Sequence, residues 1–109
     1  MKLQKSSGQL KKLKELLIIR RVSGDSMAPT LLHGKIVLAS GMVQAKMGNV
    51  VVIRHEGKDK IKRLKEVRGN EIYVLGDNLG ASSDSRHFGW IPRENIVGVV
   101  IMPRWSRRG

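Results

Sequence analysis

Two spacings of apolar residues alternate along this chain. Between Gln9 and Leu17, Leu10, Leu13, Leu16 and Leu17 recur at helical spacing with lysines between them, which predicts a short amphipathic helix. The apolar-basic run Leu16 to Val22 then reads as a strand. Further strands are expected over Lys35–Ala39, over the valine-dense Asn49–His55, and over Lys60–Val67, where Ile61 to Leu64 alternate only roughly. The turn Glu56-Gly57-Lys58-Asp59 separates the last two. Arg68-Gly69-Asn70 is a hairpin turn, and Glu71–Leu75 returns from it as another strand. Gly76 to Gly89 is a loop rich in Gly, Ser, Asp and Asn, longer than a plain connector needs, and loops of that kind are functional or disordered. Pro92–Asn95 suits one helical turn before a last strand, Ile96–Ile101, which Pro103 ends. Short strands without an internal repeat predict a mostly β domain, an antiparallel sheet coiled toward a barrel.

The chain has 109 residues, enough for one domain and a modest core. Apolar residues make up 40% but aromatics only 4%, so the core must rest on Val, Ile, Leu and Met. Residues 1–15 read as a basic, partly helical segment, 16–103 as the domain, and 104–109 as a basic tail. Lysine and arginine number 21 against 9 acids, a net charge of +12, which attracts an acidic partner of some kind. The absence of cysteine excludes disulfides and thiolate chemistry. No apolar run approaches the roughly 20 residues of a spanning helix, and no secretory signal is evident.

The candidate chemistry starts at Ser23-Gly24-Asp25-Ser26-Met27-Ala28-Pro29-Thr30, directly after the first strand. Gly24 and Pro29 bracket Ser26 with one residue that frees the backbone and one that restricts it. A serine hydroxyl is a weak nucleophile without a base beside it. His33, His55 and His87 lie in separate segments without metal-ligand spacing, and nothing favours any of them as that base. Lys62 is the other option. It would have to be neutral, its pKa lowered from about 10.4 to about 7–8, which corresponds to about 4 kcal/mol. Burial among apolar side chains can supply that, and a nearby cation such as Arg63 would help unless an acid pairs with it.

Four stretches together resemble the type I signal peptidases. Residues 23–31 look like their nucleophile box; Gly48-Asn49-Val50-Val51-Val52-Ile53 is similar to their valine strand, with Asn49 where Asp is usual. Ile61-Lys62-Arg63 resembles the box carrying the general-base lysine. Gly76-Asp77-Asn78 with Ser82-Ser83-Asp84-Ser85-Arg86-His87-Phe88-Gly89 resembles the last box, and all four occur in the family's order. The resemblance implies a serine endopeptidase with a serine/lysine dyad on a coiled, mostly antiparallel β fold, without metal or cofactor. Ser26 would be the nucleophile and Lys62 the base. Ser82 would aim the lysine amine, Arg63 would pair with Asp77 and Asp84 with Arg86, and the Ser26 backbone N–H would contribute to the oxyanion hole. Gly24 stands where some relatives carry a Ser or Thr as a second oxyanion donor. The compact layout and Arg54-His55 are most similar to the soluble maturation proteases of nickel-type superoxide dismutase.

That resemblance implies a protein precursor as substrate, cleaved at an N-terminal propeptide, by an enzyme working in the cytoplasm with at most peripheral membrane contact. Two alternatives differ. A LexA-like self-cleaving protease would match Ser26-Met27 and Lys62-Arg63-Leu64 but lacks the last box. A small basic β-barrel binding nucleic acid would account for the charge, yet Tyr73, Phe88, Trp90 and Trp105 form no interleaved aromatic-basic strand, so no nucleic acid is expected as partner.

Overall fold

The computed structural model describes residues 16–104. The helix expected over Gln9–Leu17 falls almost wholly outside them, as does the tail beyond Arg104; Leu17 itself opens the first strand. Among the described residues there are seven strands: β1 (Leu17–Arg21), β2 (Ile36–Ser40), β3 (Val50–His55), β4 (Lys58–Arg68), β5 (Glu71–Leu75), β6 (Ile91–Pro92) and β7 (Ile96–Met102). They form one sheet in the order β1-β2-β7-β3-β4-β5-β6, and every neighbouring pair is antiparallel. The fold is therefore mostly β, as the pattern indicated, with an open sheet in place of a closed barrel. The long loop carries two short helical pieces, a 3₁₀ turn at Leu79–Ala81 and α1 (Ser85–Phe88). The expected turn before the last strand is a 3₁₀ turn, Arg93–Asn95.

β3 explains the coiling. It lies between β7 and β4, and its four apolar residues are buried on both faces. Val50 and Val52 join Ile18, Met27, Leu31 and Val37 in one apolar cluster, whereas Val51 and Ile53 join Leu64, Ile72, Val74 and Val99 in another. A strand covered on both sides has no reason to alternate with polar residues, hence the unbroken valine run. Register shifts between Leu64 and Glu66, between Leu38 and Ala39, and between Val52 and Ile53 bend β4, β2 and β3, so that the sheet wraps around each cluster. Through Ile61–Leu64 the strand itself alternates regularly, with Lys62 and Leu64 the buried positions, and the apolar pattern is broken because a lysine occupies the first of them.

The β3–β4 turn is tighter than the four residues expected. Glu56 and Gly57 alone make it, both with positive φ (54° and 77°), the backbone that a two-residue type I′ hairpin requires. Lys58 and Asp59 consequently belong to β4, which runs from the hairpin straight to Lys62.

At the other end of the sheet, the Ser26 turn is fastened to the residues after β5. Asn78 N–H donates to the Ser26 carbonyl at 2.8 Å, Asn78 Nδ2 to the Asp25 carbonyl at 3.1 Å, and Asp77 N–H to Met27 Sδ at 3.4 Å. Gly76 sits in this junction with no room for a side chain: a Cβ there would overlap Ser82 Oγ and come within 2.6 Å of the Ser26 carbonyl oxygen. Gly76→Ala should therefore force the two segments apart and destabilise the protein by about 1–3 kcal/mol. Thermal denaturation checks this, and an unchanged Tm would mean that the junction yields freely.

Candidate active site

Ser26 is positioned by a short frame of backbone bonds. Val22 extends the β1–β2 pairing, donating to the Lys35 carbonyl and accepting from Gly34 N–H, each at 2.8 Å. The chain then turns through Gly24, whose N–H donates to His33 Nδ1 at 2.9 Å. Ala28 N–H returns to the Asp25 carbonyl and Leu31 N–H to the Met27 carbonyl. Met27, 1% exposed, drops into the first apolar cluster and pins the turn. Ser26, half-buried, faces a cleft of about 240 Å³ that Lys62 also lines. Among the described residues no hydrogen bond joins Ser26 to Lys62, and none engages the Ser26 N–H.

Lys62 lies in β4 opposite Val51 of the doubly covered β3, and only 5% of it is exposed. Burial pushes its amine below the usual lysine range; Asp84 pulls the other way, and Lys60 and Arg86 reinforce the depression. Arg63, the cation that the sequence offered for this purpose, is engaged elsewhere. Its Nη2 and Nε hold Asp77 Oδ2 and Oδ1 at 2.6 and 3.1 Å, and its Nη1 donates to the Gly48 carbonyl. Burial raises the Asp77 carboxyl, but Arg63 and the Thr30 hydroxyl, 2.6 Å from Oδ2, outweigh it and keep Asp77 below its ordinary value.

The amine is held by a chain of polar groups. Lys62 Nζ donates to Ser82 Oγ at 3.2 Å, and Ser82 Oγ donates to Asp84 Oδ2 at 2.7 Å. Because the Ser82 hydrogen is given to the carboxylate, its oxygen can only accept from the lysine. That sets the direction of the amine: one N–H toward Ser82, the lone pair left for another partner. Asp84 is fully buried and also accepts from the Gly76 N–H at 2.8 Å and from the Arg86 N–H at 3.1 Å. Arg86 Nε and Nη2 grip its two oxygens at 2.9 and 3.0 Å. Burial alone would raise this carboxyl; Arg86, Gly76 and Ser82 hold it far below the usual carboxylate range. It is an anion at any working pH.

All seven side chains singled out in the sequence are thus near one another. Lys62, Ser82, Asp84 and Arg86 gather around the amine, while Arg63 and Asp77 lie under the Ser26 turn. The sequence did not reveal Thr30, which lies within the nucleophile-like box yet bonds an acid 47 residues away, nor Ser85, whose Oγ accepts from the Val74 N–H. The histidines stay apart from the amine. His33 caps Gly24, His55 stacks on Phe88 with centroids 4.1 Å apart, and His87 is exposed. No cluster of three metal-capable side chains occurs among the described residues. A hydroxyl and a buried, depressed-pKa amine on one cleft can carry out nucleophilic attack with proton transfer.

Comparison with known proteins points to a peptidase. The Peptidase S24-like family matches residues 2–101. Mitochondrial ATP-independent inner membrane protease subunit 1a of Arabidopsis thaliana is 31% identical over 114 residues, covering 77% of this chain and 68% of that protein. Mitochondrial inner membrane protease subunit 1 of Mus musculus is 27% identical over 110 residues, covering 76% and 66%. Signal peptidase I V of Bacillus subtilis (strain 168) is 39% identical over 80 residues, covering 72% of this chain but only 42% of the relative. With a family match running through nearly the whole chain, and signal peptidases and inner membrane proteases among its relatives, the chain belongs to the Peptidase S24-like family of serine peptidases.

Proposed function

We propose that the chain is an endopeptidase with a Ser26/Lys62 dyad, which removes an N-terminal segment from a protein precursor. The observation that carries this reading is the buried Lys62 amine, oriented by Ser82 and opening on the same cleft as Ser26. Ser26 Oγ attacks the scissile carbonyl while its proton passes to the Lys62 lone pair. The oxyanion that forms is met by the Ser26 N–H, which is not occupied by another described group. The lysine ammonium then protonates the leaving amine, and the neutral amine activates water to hydrolyse the acyl-enzyme ester. Asp84 does not relay protons. As a fixed anion held by Arg86, it keeps Ser82 in one orientation and steadies the ammonium that forms transiently.

The proposed substrate is the precursor of a nickel-type superoxide dismutase or a similar protein with a short N-terminal extension, met in the cytoplasm. The motif layout and Arg54-His55 support this. No helix among the described residues is long and apolar enough to cross a membrane. Because the relatives include proteins named inner membrane proteases, cell fractionation is the measurement that decides location. The protein should remain in the soluble fraction of cells at physiological ionic strength and cleave its precursor without lipid or detergent. Recovery in washed membranes, or activity only with lipid, would overturn the cytoplasmic part of the reading.

Ser26→Ala should abolish cleavage with little change in Tm; full activity in that variant excludes Ser26 as nucleophile. A lysine that must be neutral makes kcat/KM rise with pH through its lowered pKa and level off above it, since the uncharged fraction grows as the proton leaves. Lys62→Arg cannot lose its proton in that range and should be inactive. A wild-type profile flat from about pH 6 to 9, or an active arginine variant, removes the lysine base.

Ser82→Ala should lower kcat by about 10²–10⁴, the range of acid–base support, with KM little affected. It should also shift the pH profile, because the amine loses its acceptor. Wild-type kinetics in this variant would leave Ser82 a purely structural role.

A further inference from the structure

The cleft beside Ser26 is far more cationic than the protein as a whole. One wall runs from the end of β1 into the adjoining loop, Arg20 to Ser23; the other is the first half of β4, Lys58 to Lys62. Five basic residues, Lys62 among them, and one acid line it, against 21 and 9 over the whole chain. The acid, Asp59, does not offset them. Its Oδ2 accepts from Arg20 Nε at 2.7 Å and its Oδ1 from Arg54 Nε at 2.8 Å, so it is shared between two guanidiniums. Arg54 lies outside the cleft lining and adds a further positive charge at its edge.

Not all the cations are available. Lys60 Nζ lies 3.2 Å from His55 Nδ1 and 5.1 Å over the Phe88 ring, and Lys62 is the buried amine already described. Arg20 is bound to Asp59. The Lys58 side chain is exposed and makes no hydrogen bond or ion pair with any described residue, and the Arg21 side chain, also exposed, has one long contact, 3.4 Å to the Gly34 carbonyl. These two charges, one on each wall, have no partner of opposite sign among the described residues.

Resting on the peptidase reading, we infer that the cleft selects peptides bearing an acidic residue, with Arg21 and Lys58 receiving an Asp or Glu about four residues from the cleaved bond, the offset that Lys58 has from Lys62 along a strand. An extended peptide advances by the same ~3.3 Å per residue as the strand beside it, so the two spacings match. The occupant is a peptide rather than a nucleic acid because no aromatic side chain lines the cleft for base stacking. Tyr73 and Trp90 pack on each other, with Arg68 over Trp90, and Phe88 is covered by His55.

The test uses the whole chain and a proteome-derived peptide library, with the new ends identified by mass spectrometry. Asp and Glu should be enriched, relative to the library, about four residues to one side of the cleaved bonds. In a fluorogenic peptide made from one such sequence, replacing that acid by Lys should lower kcat/KM about tenfold. The difference should shrink as salt is raised and largely vanish in the double variant Arg21→Gln, Lys58→Gln. Cleavage with no charge preference would overturn the inference and leave the peptidase reading intact. If no peptide is cleaved, the peptidase reading has failed, and NMR titration of Ser26→Ala protein with the paired Asp and Lys peptides still decides the charge preference. Shifts at Arg21 and Lys58 with the Asp peptide alone would support it, and equal shifts would overturn it. Displacement of the Asp peptide by a single-stranded oligonucleotide at equal charge concentration would also overturn it, as the mark of an indiscriminate anion surface.

Discussion

Everything at the site depends on keeping one amine out of water. A lysine placed opposite Val51, on a strand whose neighbour is buried on both faces, loses hydration that its charged form needs. Left alone, such a group would be an unpaired buried polar atom; beside an unshielded carboxylate it would simply remain an ammonium. The protein sits between those outcomes. Ser82 gives the amine an acceptor, and Asp84 stands behind Ser82 with most of its charge already committed to Arg86 and the Gly76 N–H. Asp84 thus orients the amine through a hydroxyl while Arg86 limits how strongly it holds the proton there.

The fold serves this balance through two fastenings. β3 supplies the dry surface, and its apolar side chains divide between two clusters so that both faces of the sheet close over it. The junction at Gly76 brings the Ser26 turn and the Ser82 loop into contact with the end of β5, where a side chain of any size would separate them. Arg63 and Asp77 brace the same junction from beneath, with Thr30 tying in the far side of the turn. A disturbance at Gly76 therefore reaches the hydroxyl and the lysine's acceptor together.

Local signals are readable from sequence. The Ser23–Thr30 turn, the Val50–Ile53 strand and the Gly76–Gly89 loop each declare themselves through glycine, proline or an unbroken apolar run. Features set by pairing at a distance are not. β6 is only Ile91 and Pro92, and it exists because Glu71 and Ile72 offer an edge to pair with; Pro92 at such an edge costs no ladder bond. The alternation of β4 is hidden because the buried position before Leu64 holds a lysine, and the register shifts after Leu64. Sequence proximity points to Arg63 as the cation beside the amine, although strand parity argues otherwise: Lys60 and Lys62 share a face and Arg63 lies on the opposite one. Asp59 gives no sign of its double pairing, since Arg20 is 39 residues away.

The positive cleft and the depressed lysine have opposing needs at first sight, because an acidic substrate would tend to restore the proton that the proposed mechanism requires the amine to lack. Distance settles the matter. Lys58 is four positions from Lys62 along β4, about 13 Å at strand rise, whereas charges in open solvent are screened over about 8 Å at physiological salt. A carboxylate held by Arg21 and Lys58 is also partly neutralised by them. Lys60 and Arg86, which help keep the amine uncharged, lie closer and act through protein. The two proposals are therefore compatible: an acidic peptide drawn in at one end of the cleft leaves the base proposed at the other end neutral. At low ionic strength the screening length grows to about 30 Å at 0.01 M, and the two ends begin to sense each other.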